Sequence, residues 1–175
     1  MSTGGQLLVQ CLEAQNADRV FCVPGESYLA ILDALYDSPI ETIVARQEGG
    51  AALMAESDGK ATGRPGICIV TRGPGASNAM AGLHVAQQDS TPFILIIGQV
   101  ARAFRGRDAF QEIDFEATFG AIAKLTVEVN DPSKIPEVIA RAFRTAMNGR
   151  PGPVVISVPE DMLAEETNLP PCPLI

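Results

Sequence analysis

Short apolar runs and amphipathic stretches alternate along this chain, and the alternation predicts its elements. Leu7, Leu8, Cys11 and Leu12 recur at helical spacing behind Ser2 and Thr3, either of which can cap a helix running to Gln15. Val20 to Val23 is a short strand, stopped by Pro24-Gly25, and Glu26-Ser27 opens a second helix carrying Leu29, Ile31, Leu32 and Leu35. Pro39 precedes a second strand through Ile43 and Val44, and Glu48 opens a third helix that Gly63 to Gly66 ends in turn chemistry. Ile67 to Val70 reads as a buried strand, and a glycine-proline loop from Thr71 to Asn78 feeds an alanine-rich helix through about Gln88. Phe93 to Ile97, bounded by Pro92 and Gly98, is the most strand-like run. Gln99 to Glu112 is polar with weak periodicity and reads as a long functional loop. Phe115 to Ile122 is a short helix, Leu125 to Val129 a strand, and Pro132 to Met147 a helix with Asp131 at its cap. Val154 to Val158 is the last strand, and the tail from Leu169 reads as a linker.

The strands are apolar on both faces and alternate with helices. That combination predicts an α/β fold, a three-layer doubly wound sheet of about six parallel strands with helices on both faces and right-handed crossovers. A length of 175 residues suits one well-cored domain.

Composition narrows the partners. With 46% hydrophobic and 19% charged residues the chain falls among globular proteins, not disordered ones. A formal charge of −8 argues against nucleic acid and against an anionic membrane surface as partners. Cys11, Cys22, Cys68 and Cys172 lack metal-type spacing and, with a single histidine, argue against zinc. Most of these cysteines lie in apolar surroundings, as small core residues do in a reducing compartment. The start of the chain is too polar for a signal peptide, and Phe93 to Ile97 is too short to span a bilayer, so the expected location is cytoplasmic.

Candidate chemistry gathers behind the strands. Glu48 stands at a strand-to-helix junction among small residues, where open α/β sheets hold ligands and a helix N-terminus favours an ionised carboxylate. Acids are also common in first helical turns, so Glu48 taken alone is ambiguous. The turns Pro24 to Ser27, Arg46 to Gly50 and Thr71 to Asn78 all follow strands and meet along one sheet edge. The Gly73-Pro74-Gly75 segment fits neither a dinucleotide fingerprint nor a Walker loop, and Pro74 removes an amide donor. It suits close approach to a ring, or a plain turn. His84 lacks a nearby carboxylate and reads as a packed or interface histidine. Arg102, Arg105 and Arg107 are read first as solvated, second as a site for an acidic substrate group. Phe110 and Gln111 mix aromatic and polar character where core periodicity gives no reason for it.

Five ordered motifs carry a resemblance: PGES at Pro24, RQEGGAA at Arg46, TRGPGASN at Thr71, GRDAFQE at Gly106 and GRPGPVVISVPED at Gly149. Together they resemble the pyrimidine-binding domain of thiamine-diphosphate-dependent enzymes of the acetolactate synthase group, from about Gln6 to about Glu165. The implied layout is a domain over residues 1–165 and a linker or truncated tail over 166–175. The resemblance implies thiamine diphosphate as cofactor, with Glu48 bonded to a ring nitrogen of its aminopyrimidine and activating that ring toward a 2-oxo acid substrate. Pro24, Gly25, Thr71, Pro74, Gly75 and Asn78 would border the ring. Phe110 and Gln111 would approach the reacting carbon or the substrate, making Glu48 and Gln111 the expected catalytic pair.

Departures accompany it. Glu26 stands for a usual glycine, Gln47 for a histidine and Glu160 for a lysine, while Arg72 and Arg107 replace small polar residues. These leave open which transferase or decarboxylase the resemblance points to. The Gly-Asp-Gly motif and paired asparagines that hold the diphosphate and Mg²⁺ in such enzymes do not occur here. A diphosphate-binding domain or subunit is therefore the expected partner, in a homodimer or larger assembly, and FAD is a further candidate for a full-length enzyme. The competing expectations are a binding or regulatory module that keeps the fold without catalysis, and a flavodoxin-like nucleotide binder.

Overall fold

The computed structural model describes all residues from Met1 to Ile175. Strands β2 (Arg19–Cys22), β3 (Glu41–Val44), β4 (Gly66–Val70), β5 (Phe93–Gln99), β6 (Leu125–Glu128) and β7 (Pro153–Pro159) form one six-stranded sheet. Every pairing in it is parallel, in the order β3-β2-β4-β5-β7-β6. Helices cover both faces, so the expected three-layer α/β architecture is the one observed. A separate antiparallel pair joins β1 (Ser2–Thr3) to β8 (Glu166–Thr167).

One face carries α1 (Gly4–Ala14), α2 (Leu29–Tyr36), α6 (Ile135–Met147) and the short α7 (Glu160–Ala164). Leu8, Leu12, Ile31 and Ile139 from these helices share a core with Val20, Ile69, Ile96 and Ile156 of the sheet. The opposite face carries α3 (Glu48–Thr62), α4 (Gly73–Asp89) and α5 (Phe115–Phe119), packed on Phe21, Cys68, Leu95 and Val155. Alternate strand residues thus feed opposite cores, as the period of a strand requires. The second core is built largely of alanine, because α3 and α4 lie close together. A Cβ on Gly82 would fall 2.5 Å from the carbonyl carbon of Ala52 and 2.6 Å from its Cβ.

Capping follows local chemistry. Thr3 and Gln6 form a capping box at α1, and Gln47 caps α3 by accepting from the Gly50 amide at 2.8 Å. Gly63, at φ 70°, ends α3 in the left-handed conformation that glycine adopts without strain. Several boundaries differ from expectation, and helix α2 begins at Leu29 behind a 3-10 turn over Glu26–Tyr28. The segment Gly73-Pro74-Gly75 is the first turn of α4 and not a loop, since proline in a first turn gives up only an unused amide. Residues 132–134 form a 3-10 turn before α6, because Pro136 has no amide to bond an α-helical carbonyl four residues earlier. Helix α5 ends at Phe119, before the expected Ile122.

The tail lies against the amino-terminal helix. The Gln15 side chain donates to the Pro173 carbonyl at 2.6 Å and accepts from the Ile175 amide at 3.2 Å. Cys172 is buried, its amide 3.3 Å from Cys11 Sγ, and burial pushes the Cys11 thiol up to about 12. All four cysteines are buried and unbridged. No helix is long and apolar enough to cross a membrane.

The α3–α4 contact leaves no room for a methyl group. Gly82→Ala should destabilise the fold by about 1–3 kcal/mol with an unchanged urea m-value. Unaltered stability in urea unfolding would mean that the helices can separate freely.

Candidate functional site

The chain runs from β2 outward to the edge strand β3, then back across to β4. Strand order therefore reverses between β2 and β4, and the crevice at their carboxyl ends is where sheets of this class take ligands. The turn after β2 supplies Pro24, Gly25, Glu26 and Ser27, and the turn after β4 supplies Thr71 and Arg72. They interlock: Ser27 Oγ lies 2.8 Å from Thr71 Oγ1, and a Cβ on Gly25 would fall 2.5 Å from Thr71 Cβ. Buried Tyr28 donates to the Val23 carbonyl and holds the β2 exit from below. Gly98 lets this turn settle onto β5, because a Cβ there would meet Ser27 Oγ at 2.2 Å.

Glu48 enters from the third turn. It is the first residue of α3, half-buried, and its Oε2 accepts from Asn78 Nδ2 at 2.9 Å. Its Oε1 lies 3.4 Å from where a Cβ on Gly75 would be, and that same Cβ would meet Thr71 Cγ2 at 2.8 Å. The carboxylate thus lies against Gly75, with one oxygen fixed by an amide and the other uncommitted within the chain. Gly25, Glu48, Thr71, Gly75 and Asn78 come together; Pro24 and Pro74 are exposed on the rim.

The polar segment after β5 folds over the start of α4. Gln99, fully buried, donates to the Ile113 carbonyl at 3.2 Å, and the Gly73 amide donates to the Gln111 carbonyl at 2.9 Å. Gln111 is therefore anchored beside Gly73 through its backbone. Asp108 and Gln111 both have left-handed backbones, at φ 54° and 63°, and Phe110 between them is 72% exposed. Glu112 clamps this turn from inside by accepting from the Gly106 amide at 2.7 Å, the Ala109 amide at 3.1 Å and Arg105 at 2.5 Å. The Gly106 amide foremost, with the Ala109 amide and the Arg105 guanidinium, holds the Glu112 carboxyl below its ordinary range.

The arginines of this segment are not alike. Arg102 binds Asp161 at 2.8 Å and also Glu165, and Arg105 binds Glu112 and Glu128. Neither offers an open guanidinium to an acidic substrate group; Arg107 is exposed without a carboxylate partner. His84 lies on the exposed side of α4.

Sequence reasoning missed the role of Arg72. Its side chain is 7% exposed and reaches Glu26 at 2.8 Å and Glu160 at 2.6 Å, linking the exits of β2, β4 and β7. The signal lay in the motifs themselves, where an arginine and two acids occupy equivalent places just after three parallel strands. A partly open cavity of about 310 Å³ lies at the other end of the sheet, bordered by Asp18, Arg19, Arg64, Phe143 and Ile175, remote from all these residues. No group of three or more histidine, cysteine, aspartate or glutamate side chains is disposed to hold a metal ion.

Fold and crevice define an α/β ligand-binding domain whose acid, amide and glycines meet at a sheet switch point. Residues 2–118 match the thiamine pyrophosphate enzyme, N-terminal TPP binding domain, and the chain belongs to that family. It is 44% identical over 165 residues to acetolactate synthase of Bacillus subtilis, covering 94% of this chain and 29% of that protein. It is 42% identical over 168 residues to the acetolactate synthase isozyme 2 large subunit of Escherichia coli, covering 96% of this chain and 31% of that subunit. With the acetolactate synthase large subunit of Corynebacterium glutamicum the identity is 41% over 161 residues, 91% of this chain and 26% of that subunit. The chain spans under a third of the length of each of these relatives.

The Glu112 clamp has a defined pH dependence. A carboxyl lowered on folding stabilises fully above its ordinary value of 4.5 and less as pH falls through its lowered folded value. Amide exchange at Gly106 and Ala109, corrected for intrinsic rates, should show steady protection from neutral pH to about 5 and loss in stronger acid. Glu112→Gln should lower that protection at neutral pH. Protection indifferent to both changes would separate the clamp from the order of the turn.

Proposed function

We propose that this chain is the pyrimidine-binding part of a thiamine-diphosphate-dependent enzyme acting on 2-oxo acids, by acetolactate synthase-like carboligation or by decarboxylation. The observation that carries the reading is Glu48, with one oxygen fixed by Asn78 and the other lying against Gly75. A flat aminopyrimidine suits this donor set. Gly25 and Gly75 let Thr71 pack between the turns so that they close on a thin crevice, Thr71 and the two prolines would border the ring, and a carboxylate can share the proton of a ring nitrogen.

Held beside Gly25, Glu48, Thr71, Gly75 and Asn78, thiamine diphosphate would supply a carbon nucleophile and an electron sink for 2-oxo acid chemistry. The protein's own contribution begins with proton placement. Glu48 holds a proton at the ring nitrogen, and the half-buried turn limits competition from water for that bond. Asn78 keeps the carboxylate aimed by donating to Oε2. The interlocked Ser27 and Thr71 hydroxyls keep the crevice walls from spreading. Phe110 and Gln111, on a turn tied to Gly73, are assigned to the substrate side. We assign the diphosphate and its Mg²⁺ to a diphosphate-binding domain or subunit outside these residues. A homodimer or larger assembly then forms the working unit, and the surroundings are cytoplasmic.

The test combines this chain with a diphosphate-binding chain or domain of a relative. Glu48→Gln should keep the circular dichroism of the parent and slow hydrogen–deuterium exchange at the cofactor's reactive carbon by about 10²–10⁴-fold, the range of a positioned proton-transfer group. Exchange at the parental rate would remove Glu48 from the mechanism. If cofactor binds and no assembly consumes a 2-oxo acid, the chain is instead a non-catalytic module that keeps the fold.

A further inference from the structure

Along the carboxyl edge of the sheet, three arginines are each held by two carboxylates. Arg72 binds Glu26 and Glu160, Arg102 binds Asp161 and Glu165, and Arg105 binds Glu112 and Glu128. Each group carries one surplus negative charge. The first adjoins the crevice: Glu26 follows Gly25, Arg72 follows Thr71, and those two neighbours are in contact. Arg72 is buried and committed to its acids, with its Nε buried and unpartnered, so its charge is not free to turn toward an anion. Glu26, by contrast, leaves 67% of its side chain exposed at the mouth. An anion arriving there meets the excess charge unshielded by protein.

Resting on the function proposed above, we infer that the Glu26–Arg72–Glu160 group selects the acceptor. The assembled enzyme joins the acyl fragment of its 2-oxo acid to an uncharged carbonyl compound, such as an aldehyde, in preference to a second 2-oxo acid. In that reaction the bond between the donor's carbonyl and carboxylate carbons breaks and CO₂ leaves. The electron pair forms a bond to the acceptor's carbonyl carbon, whose oxygen takes up one proton and becomes a hydroxyl. No oxidant or reductant is needed. Both products share the donor step, so the cost of admitting the first anion cancels in their ratio. The acceptor alone differs in charge, and a carboxylate near an unshielded negative charge is disfavoured more at low salt than at high.

The experiment gives the assembled enzyme pyruvate and benzaldehyde together. It measures the ratio of mixed hydroxyketone to acetolactate by proton NMR, alongside CO₂ release. The hydroxyketone should dominate for the parent at low salt. Raising NaCl to about 1 M, where the Debye length is about 3 Å, should shift the ratio toward acetolactate by roughly threefold. Glu26→Gln, which keeps a hydrogen bond to Arg72, should shift it by about fivefold at low salt, the weight of one partly screened charge. A parent that favours acetolactate, or a ratio indifferent to salt and to Glu26→Gln, overturns the inference and leaves the cofactor reading intact. A lower acetolactate share in Arg107→Gln would assign the acceptor carboxylate to that arginine and also overturn it. If no CO₂ is released from pyruvate, the catalytic reading fails and this inference falls with it.

Discussion

The crevice depends on Thr71 being packed between two residues that have no side chain. A Cβ on Gly25 would lie 2.5 Å from Thr71 Cβ, and one on Gly75 would lie 2.8 Å from Thr71 Cγ2. These contacts set how closely the exits of β2 and β4 approach, and the Ser27–Thr71 hydroxyl pair fixes the spacing from the side. A larger residue at either glycine would force one turn away, and Glu48 and Asn78 would then lose the surface they face. Packed interiors tolerate such shifts poorly, so the geometry of the acid is set by sterics before any charge acts.

The asymmetry of the two cores serves the same end. The α1, α2 and α6 side is filled with leucine and isoleucine, which supply most of the burial energy at about 1.5–3 kcal/mol for each large side chain. The α3 and α4 side uses Ala51, Ala52, Ala55, Ala76 and Ala79, which bury less area but let two helices start close to the sheet edge. Helices α3 and α4, which carry Glu48 and Asn78, therefore lie on the alanine-rich side, and the leucine-rich side holds the sheet on which they rest. Glu56, buried in α3, is satisfied by Thr91 at 2.7 Å and Lys60 at 3.2 Å, so this close packing does not strand a charge.

Much of this was legible in the chain. Strands such as Ile67 to Val70 and Phe93 to Ile97 are apolar at every position, which only a doubly covered sheet explains, and strand exits follow directly from them. Glu48 was legible because strand, acid and small residues are contiguous. Arg72 was not legible from local periodicity, since its partners stand 46 and 88 residues away, and only the equivalent placing of an arginine and two acids after three strands carried a trace of the pairing. The loop residues were partly legible: the segment Gln99 to Glu112 stood out as polar, but the clamp by Glu112 depends on left-handed turns at Asp108 and Gln111 that neither residue type demands. The docking of Cys172 and Pro173 on α1 was hidden for the same reason, because its contacts span more than 150 residues.

Electrostatics links the crevice to what must lie opposite it. Three arginines on the carboxyl edge each hold two acids, and against the upward push of burial the Arg102 amide and guanidinium keep the Asp161 carboxyl below its usual range. A ligand with a phosphate tail would gain little from these three arginines, since each is already held by two carboxylates. On the function proposed above, the ring end of such a ligand lies beside Glu48, and its charged end finds no free guanidinium among these three arginines. On that same proposal, the packing of Thr71 between Gly25 and Gly75 favours the flat end of the ligand here, and the acid-bound arginines disfavour its anionic end, so the two ends are recognised by different residues.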